Sequence, residues 1–527
     1  MSVLRLFSTR QTPQNRPADH RQSPNAAGGY GFTLDDEARL RRFLTLGTDG
    51  GTFYTRPLPL TEDNAQVVLR MAASDHATLV RTIVEVSTRG AAPRPQPALF
   101  ALAIAASHGT DAEKAAALAV LGQVARTGTH LFWFATYVEQ FRGWGRGLRR
   151  AVARWYTETP TDALTYQTVK YRQRDGWSHR DLLRLAHPVT QEPARRALFD
   201  WVVRGATGDD TPRLVTAFVR AQEPGADVAR LVREERLTWE MLPSQALTDP
   251  AVWDALLDTG VPQTALLRQL PRLTRLGLLP DTGGRTDEVC AQITDPGRLR
   301  AARVHPVAVL LAQRTYASGR SLRGEGRWTP SRKVVDALDR AFYEAFGAVE
   351  PTGKRTLLAL DVSGSMVQPV SGLPLSCREA SAALALVTLA VERQAQVVGF
   401  TSKTWRGTGL SALTISPRQR LDDAVRAVSQ LPFSGTDCAL PMLHARQAGL
   451  EVDTFVVYTD NETWAGSVHP HQALRAYREA TGIPAKLVVV AMTATQVTIA
   501  DPSDAGMLDV AGFDAAVPQV VSDFARA

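Results

Sequence analysis

The stretch TLLALDVSGSM, residues 356–366, decides the fold of the C-terminal third of this chain. A threonine and four apolar residues run directly into an acid and two serines at alternate positions, Asp361, Ser363 and Ser365. A strand with no polar face belongs inside a parallel sheet covered on both sides. Oxygen donors at its carboxyl end lie where such sheets hold ligands. Three more runs share its character: AQVVGF (395–400), TFVVYT (454–459) and KLVVVAM (486–492). Helical stretches, REASAALALVTLAVER and SVHPHQALRAYREA, separate them. The alternation predicts an α/β doubly wound domain over 351–527, after a GAVEPTGK linker.

Two further oxygen-bearing segments fall at the expected edge of that sheet. SGTD carries Thr436, and YTDNE places Asp460 just past a strand. One carboxylate, two serine hydroxyls, a threonine and a second carboxylate are hard donors that suit a divalent ion, Mg²⁺ foremost, with a coordination position left open. Turn capping alone explains Asp361 and its serines, but not the two later clusters. Asp361, Ser363, Ser365, Thr436 and Asp460 together resemble the metal-ion-dependent adhesion site of the von Willebrand factor A family. That resemblance implies a Mg²⁺-dependent socket for a partner's ligand.

Upstream the texture is helical. TEDNAQVVLRMAASDHATLVRTIVEV offers an N-cap at Thr61 and apolar residues at helical spacing. PALFALAIAA, EKAAALAVLGQVA, ARRALFDWVVR, TPRLVTAFVRA and HPVAVLLAQRTYA repeat the pattern between turn signals. Short helices with short links predict stacked helical pairs of the HEAT or armadillo type over 28–350. Residues 1–27, rich in Pro, Gln, Asn and Ser, predict a mobile arm.

Charge divides the chain unequally. The net charge is +7, yet residues 351–527 hold 14 Lys and Arg against 16 Asp and Glu, leaving 46 against 37 before them. The basic excess sits wholly in residues 1–350 and favours a polyanionic partner. It concentrates in KYRQRDGWSHRDLLRLAHP (170–188). Read as two helices broken at Asp175-Gly176, this run puts Lys170 and Arg174 on one face. It then caps a second helix with Ser178 and Asp181, leaving Arg180, Arg184 and His187 opposite a leucine side. FRGWGRGLRRAVARWY adds Arg142, Arg146, Arg149, Arg150 and Arg154, interleaved with Trp144, Trp155 and Tyr156. Basic residues among aromatics suit phosphate contact and base stacking, so RNA or DNA is the expected ligand. His179 and His187 match no common zinc spacing.

These segments, with NAAGGYGF, RLRRFLTLGTDGGTFY, ALLRQLPRLTRLG and RVHPVAVLLAQRTYASG, resemble the TROVE module of Ro ribonucleoproteins, the family of the Ro autoantigen. The α/β part completes that family's arrangement. The resemblance implies a helical-repeat ring closed by the A-type domain, binding small noncoding Y RNA on its basic outer surface and single-stranded 3′ ends of misfolded RNA in its hole. It carries Y RNA contact onto Lys170, Arg172, Arg174, Arg180, Arg184 and His187, and more loosely onto Arg142, Arg146, Arg149 and Arg150. It also implies work alongside a 3′ exoribonuclease in RNA quality control, maturation or decay.

Composition closes off other classes. A hydrophobic fraction of 44% with 21% charged residues describes globular protein without a membrane span. Three scattered cysteines, Cys290, Cys377 and Cys438, make neither a disulfide framework nor a zinc site. With no secretory signal read at the N-terminus, a cytoplasmic protein is expected. No GxSxG, HExxH, Walker A or deaminase pattern occurs, so a non-enzyme is expected. The competing reading is a Mg²⁺-dependent protein-adhesion scaffold of the von Willebrand A type.

Overall fold

In a computed structural model, the protein forms two compact units. The structure describes residues 11–526 except 26, 34–35, 47–59, 61–64, 89–94, 303, 322–324, 371–374, 403–407, 417–418, 432–433, 493–496 and 512–516. The expected N-cap at Thr61 lies outside the described residues.

One unit, residues 60–304 and 315–341, is helical. Its short helices follow the apolar runs of the sequence, and their polarity follows their depth. Gln96–Ala105 is apolar all round and buried from Pro97 onward, whereas Arg213–Ala221 buries only Val215, Ala217, Phe218 and Ala221. Caps come from the sequence too. Thr110 with Glu113 and Ser178 with Asp181 form reciprocal capping boxes, satisfying the first free N–H groups of their helices.

The other unit, residues 1–59, 305–314 and 342–527, is built on a six-stranded sheet. Strand order runs Met507–Ala511, Lys486–Ala491, Thr454–Thr459, Thr356–Asp361, Ala395–Phe400, Leu410–Ala412, all parallel but the last. Every side chain of Thr356–Asp361 and Thr454–Thr459 is buried, as strands covered on both faces require. Chain order reverses beside Thr356–Asp361, which pairs with Ala395–Phe400 on one side and Thr454–Thr459 on the other. Asp361 thus stands at a topological switch point. Sequence pattern missed both outer strands: Leu410–Ala412 is short, and Met507–Ala511 carries the polar Asp509.

The expected mobile arm needs correction over its described part. Residues 11–25 are ordered against the α/β unit, and Gln22–Pro24 pairs with Tyr30–Thr33, which pairs in turn with Val497–Thr498. Backbone pairing and a salt bridge from Arg21 to Asp501 (2.9 Å) supply the order that composition concealed. The compact units also divide the chain elsewhere than at 27 and 350. The stretch 305–314 also groups with the α/β unit, where Arg314 meets Asp422 at 2.6 Å and Glu379 at 3.6 Å. Among the described residues, no helix is long and apolar enough to cross a membrane.

Candidate nucleic-acid interface and metal centre

The basic run folds differently from the two-helix reading. The first helix ends at Lys170, and Gln173–Arg174 pairs antiparallel with Trp177–Ser178 across a two-residue turn at Asp175-Gly176. Both turn residues have positive φ, 48° and 85°. Asp-Gly favours such a turn because glycine occupies the left-handed region at no steric cost. Arg174 therefore lies on a hairpin, its guanidinium 5.6 Å from the Trp133 ring, while the Trp133 indole N–H donates to Asp175 Oδ2 at 2.7 Å. Arg172 is exposed and lies 5.0 Å over the Phe218 ring.

The second helix, His179–Ala186, meets the expectation closely. Leu182, Leu183 and Ala186 are buried; Arg180, Arg184 and His187 are exposed at i, i+4 and i+7. None of these three has an acidic partner among the described residues. His187 ends the helix at φ 48°. His179 is core instead: it is 2% exposed, its Nδ1 lies 2.7 Å from the Tyr156 hydroxyl, and burial lowers its pKa to about 3.

Two expected contact residues are spent inside the protein. Lys170 Nζ meets Glu240 at 3.2 Å and donates to the Tyr166 hydroxyl at 3.0 Å. Burial opposes its charge, but Tyr166 and Glu240 outweigh that and hold its pKa above the usual lysine value. Arg142 donates to the Ala106 carbonyl. Arg149, though exposed, donates to the Trp144 carbonyl at 3.0 Å. Arg146 and Arg150 are exposed and without an acidic partner among the described residues. The interleaved aromatics also divide. Trp155 and Tyr156 are core, so stacking on bases is not open to them. Trp144 and Trp177, half-buried, pack at 5.3 Å and join the starts of helices Arg146–Glu158 and His179–Ala186. No sequence signal announced Trp133, Phe218 or Glu240, because each lies far along the chain from its cation.

At the sheet edge, the strand Thr356–Asp361 delivers Asp361 into a dense set of oxygens. Its Oδ1 accepts from the Ser363 N–H and its Oδ2 from the Thr459 hydroxyl, each at 2.8 Å. Ser363 and Ser365 hydroxyls lie 3.1 Å apart. Thr436 is pinned from two sides. Thr401 Oγ1 donates to the neighbouring Gly435 carbonyl at 2.8 Å, and the N–H groups of Trp464 and Ala465 donate to the Thr436 carbonyl at 3.1 Å. Asp460, 1% exposed, accepts from the Glu462 N–H. Burial, followed by the charge of Asp460, pushes the Asp361 carboxyl well above the usual carboxylate range. The Arg378 guanidinium reaches the Val362 and Ser363 carbonyls, at 3.5 and 3.4 Å, rather than the carboxylate. Two buried acids this close, among hydroxyls, are unfavourable alone and suited to a hard cation. Among the described residues, no group of three or more His, Cys, Asp or Glu stands ready for a metal, so any ion here relies on the hydroxyls.

Comparison with known proteins agrees with both halves. The family described as Ro60 vWA domain matches residues 355–525, and the TROVE domain matches 23–211 and 228–315. A Deinococcus radiodurans protein named RNA-binding protein RO60 is 42% identical, covering 100% of this chain and 99% of its own length. One of the same name from Caenorhabditis elegans is 35% identical, covering 95% and 90%. The crystal structure of the Deinococcus radiodurans RO (RSR) protein superposes with a TM-score of 0.78 at 43% identity, over 93% of this chain and 99% of that one. By matched domains, full-length identity and fold, the chain belongs to the Ro60 family, a TROVE domain followed by a vWA domain.

Proposed function

We propose that this chain is a Ro-type RNA-binding scaffold that grips small structured RNA of the Y RNA class by its phosphates. Arg172, Arg174, Arg180, Arg184 and His187 make the contacts; Arg146 and Arg150 extend the surface, while Lys170 and Arg142 support it from within. One observation carries this reading. Some exposed arginines elsewhere in the helical unit pair with acids, as Arg204 does with Asp200, Arg230 with Glu234 and Arg213 with Glu235. On His179–Ala186, the cations stand at helical spacing with no such partner among the described residues. A capped helix that leaves its cations unpaired holds them for an external anion.

The same reading extends to structured or misfolded RNA with single-stranded 3′ ends, passed to a partner 3′ exoribonuclease in cytoplasmic RNA quality control, maturation or decay. The chain itself performs no chemistry in this scheme, in keeping with relatives named as RNA-binding proteins. Asp361, Ser363, Ser365, Thr436 and Asp460 hold a divalent ion, Mg²⁺ by donor type. When bound, it supplies a positive charge for an oxygen ligand of a partner.

Fluorescence titration of a hairpin RNA with a 3′ single-stranded tail tests the RNA reading. For Arg180→Ala/Arg184→Ala/His187→Ala, affinity falls and the slope of log affinity against log salt becomes shallower by about 2, since each phosphate contact contributes about 0.7–0.9. Unchanged affinity and slope would defeat it. Mg²⁺-dependent capture of a carboxylate-bearing protein, with no RNA retained, would favour the adhesion scaffold instead.

A further inference from the structure

One buried glutamine from the N-terminal segment ties together the two loops that carry Thr436 and Asp460. Gln14 is fully buried. Its Nε2 donates to Asp437 Oδ1 at 2.7 Å and to the Val468 carbonyl at 2.8 Å. Its Oε1 accepts from the Thr463 hydroxyl at 2.6 Å and from the Gly466 N–H at 3.2 Å. All four hydrogen-bonding capacities of the amide are therefore used. Asp437 adjoins Thr436, and Thr463 lies three residues beyond Asp460. The backbone reinforces the tie, because Gln14 N–H donates to the Gly466 carbonyl and its own carbonyl accepts from Tyr30, both at 2.9 Å. Fit is close: a Cβ added at Gly466 would come within 2.3 Å of both Asp437 Oδ1 and Gln14 Nε2. Downstream, the Asn25 amide donates to the Thr463 carbonyl at 2.8 Å and the Ala27 N–H to Glu462 Oε2 at 3.1 Å. The docked segment thus grips the Asp460 loop at several points and the Thr436 loop at Asp437.

We propose that Gln14 is a positioning residue for the divalent-ion site, and that ion binding and docking of the N-terminal segment are thermodynamically coupled. This rests on the ion-site reading above. A carboxylate and a hydroxyl on separate loops bind a cation tightly only if the loops are held in place beforehand, and partners behind the ligands usually tune metal affinity by about 10–100-fold. Coupling is reciprocal, so an ion that favours the tied loops also favours the docked segment.

The test uses Mn²⁺ as probe on the full chain. Wild type is expected to bind Mn²⁺ in a manner lost in Asp361→Ala. Gln14→Ala, with unchanged circular dichroism, is expected to bind about tenfold or more weakly. Gln14→Glu, which keeps an acceptor but sets a carboxylate against Asp437, is expected to bind weakly as well. A second measurement needs no substitution at Gln14: Mn²⁺ slows hydrogen exchange at the Gln14 and Gly466 amides in wild type but not in Asp361→Ala. Wild-type affinity in Gln14→Ala, or exchange indifferent to Mn²⁺ in a chain that binds it, overturns the coupling while leaving the ion site intact. No Mn²⁺ binding by wild type at all removes the ion site, and the coupling with it.

Discussion

Lys170 and Arg184 look alike in the sequence and do different work in the fold. The Lys170 ammonium is held by Glu240 and the Tyr166 hydroxyl, whereas Arg184 points its charge outward unpaired. Lys170→Met should therefore cost stability, about 1–2 kcal/mol because it strands a partly buried carboxylate, with a smaller direct loss of RNA affinity. Arg184→Ala should do the reverse; denaturant unfolding and RNA titration on both variants check the contrast. His179 supplies a pH prediction. Its pKa is about 3 in the fold against about 6.5 unfolded, so the unfolded chain takes up the proton first as pH falls. The stability this neutral histidine preserves is complete above pH 6.5 and is lost on descending toward the folded value, about 2 kcal/mol by pH 5. His179→Gln should flatten the fall in unfolding free energy between pH 6.5 and 5. At this scale the exposed face was legible, since Arg180, Arg184 and His187 follow from helical spacing alone. The inward turn of Lys170 and Arg142 was not, because Glu240 and the Ala106 carbonyl, which draw them in, belong to distant segments of the chain.

Among the elements, the Asp175-Gly176 hairpin shows what period-counting misses. Two-residue strands are too short to display alternation, so YRQRDGWS reads as a helix, a break and a helix. The Asp-Gly pair was the available signal, and its meaning is a tight turn that aims Arg174 at Trp133. Gly176→Ala forces a Cβ into φ 85° and should cost about 1–2 kcal/mol. It should also weaken RNA binding while leaving the His179–Ala186 helix intact by hydrogen exchange. Ser178→Ala removes the capping box and should lower stability by about 1 kcal/mol in the same assay. Helices and central strands were legible because their apolar periods are long and unbroken, as in Gln96–Ala105 and Thr454–Thr459.

Across the whole molecule, the division of labour seen in the charge distribution carries through to the sites: the cationic face lies wholly in the helical unit and the oxygen-lined site wholly in the α/β unit. The N-terminal segment escaped composition-based reading because its order comes from partners some 450 residues away, Thr463 and Gly466 among them. The placement of Asp361 at the end of one central strand and Asp460 just past another was legible because strand ends in a doubly wound fold converge by topology. The central claim is that RNA lies along the unpaired cations of residues 172–187. Photo-crosslinking of the full chain to a 3′-tailed hairpin RNA, with the modified peptides mapped by mass spectrometry, tests it most directly. Adducts concentrated in 172–187, with a second group near Arg146 and Arg150, are the predicted result; adducts absent from both stretches while RNA remains bound would contradict it.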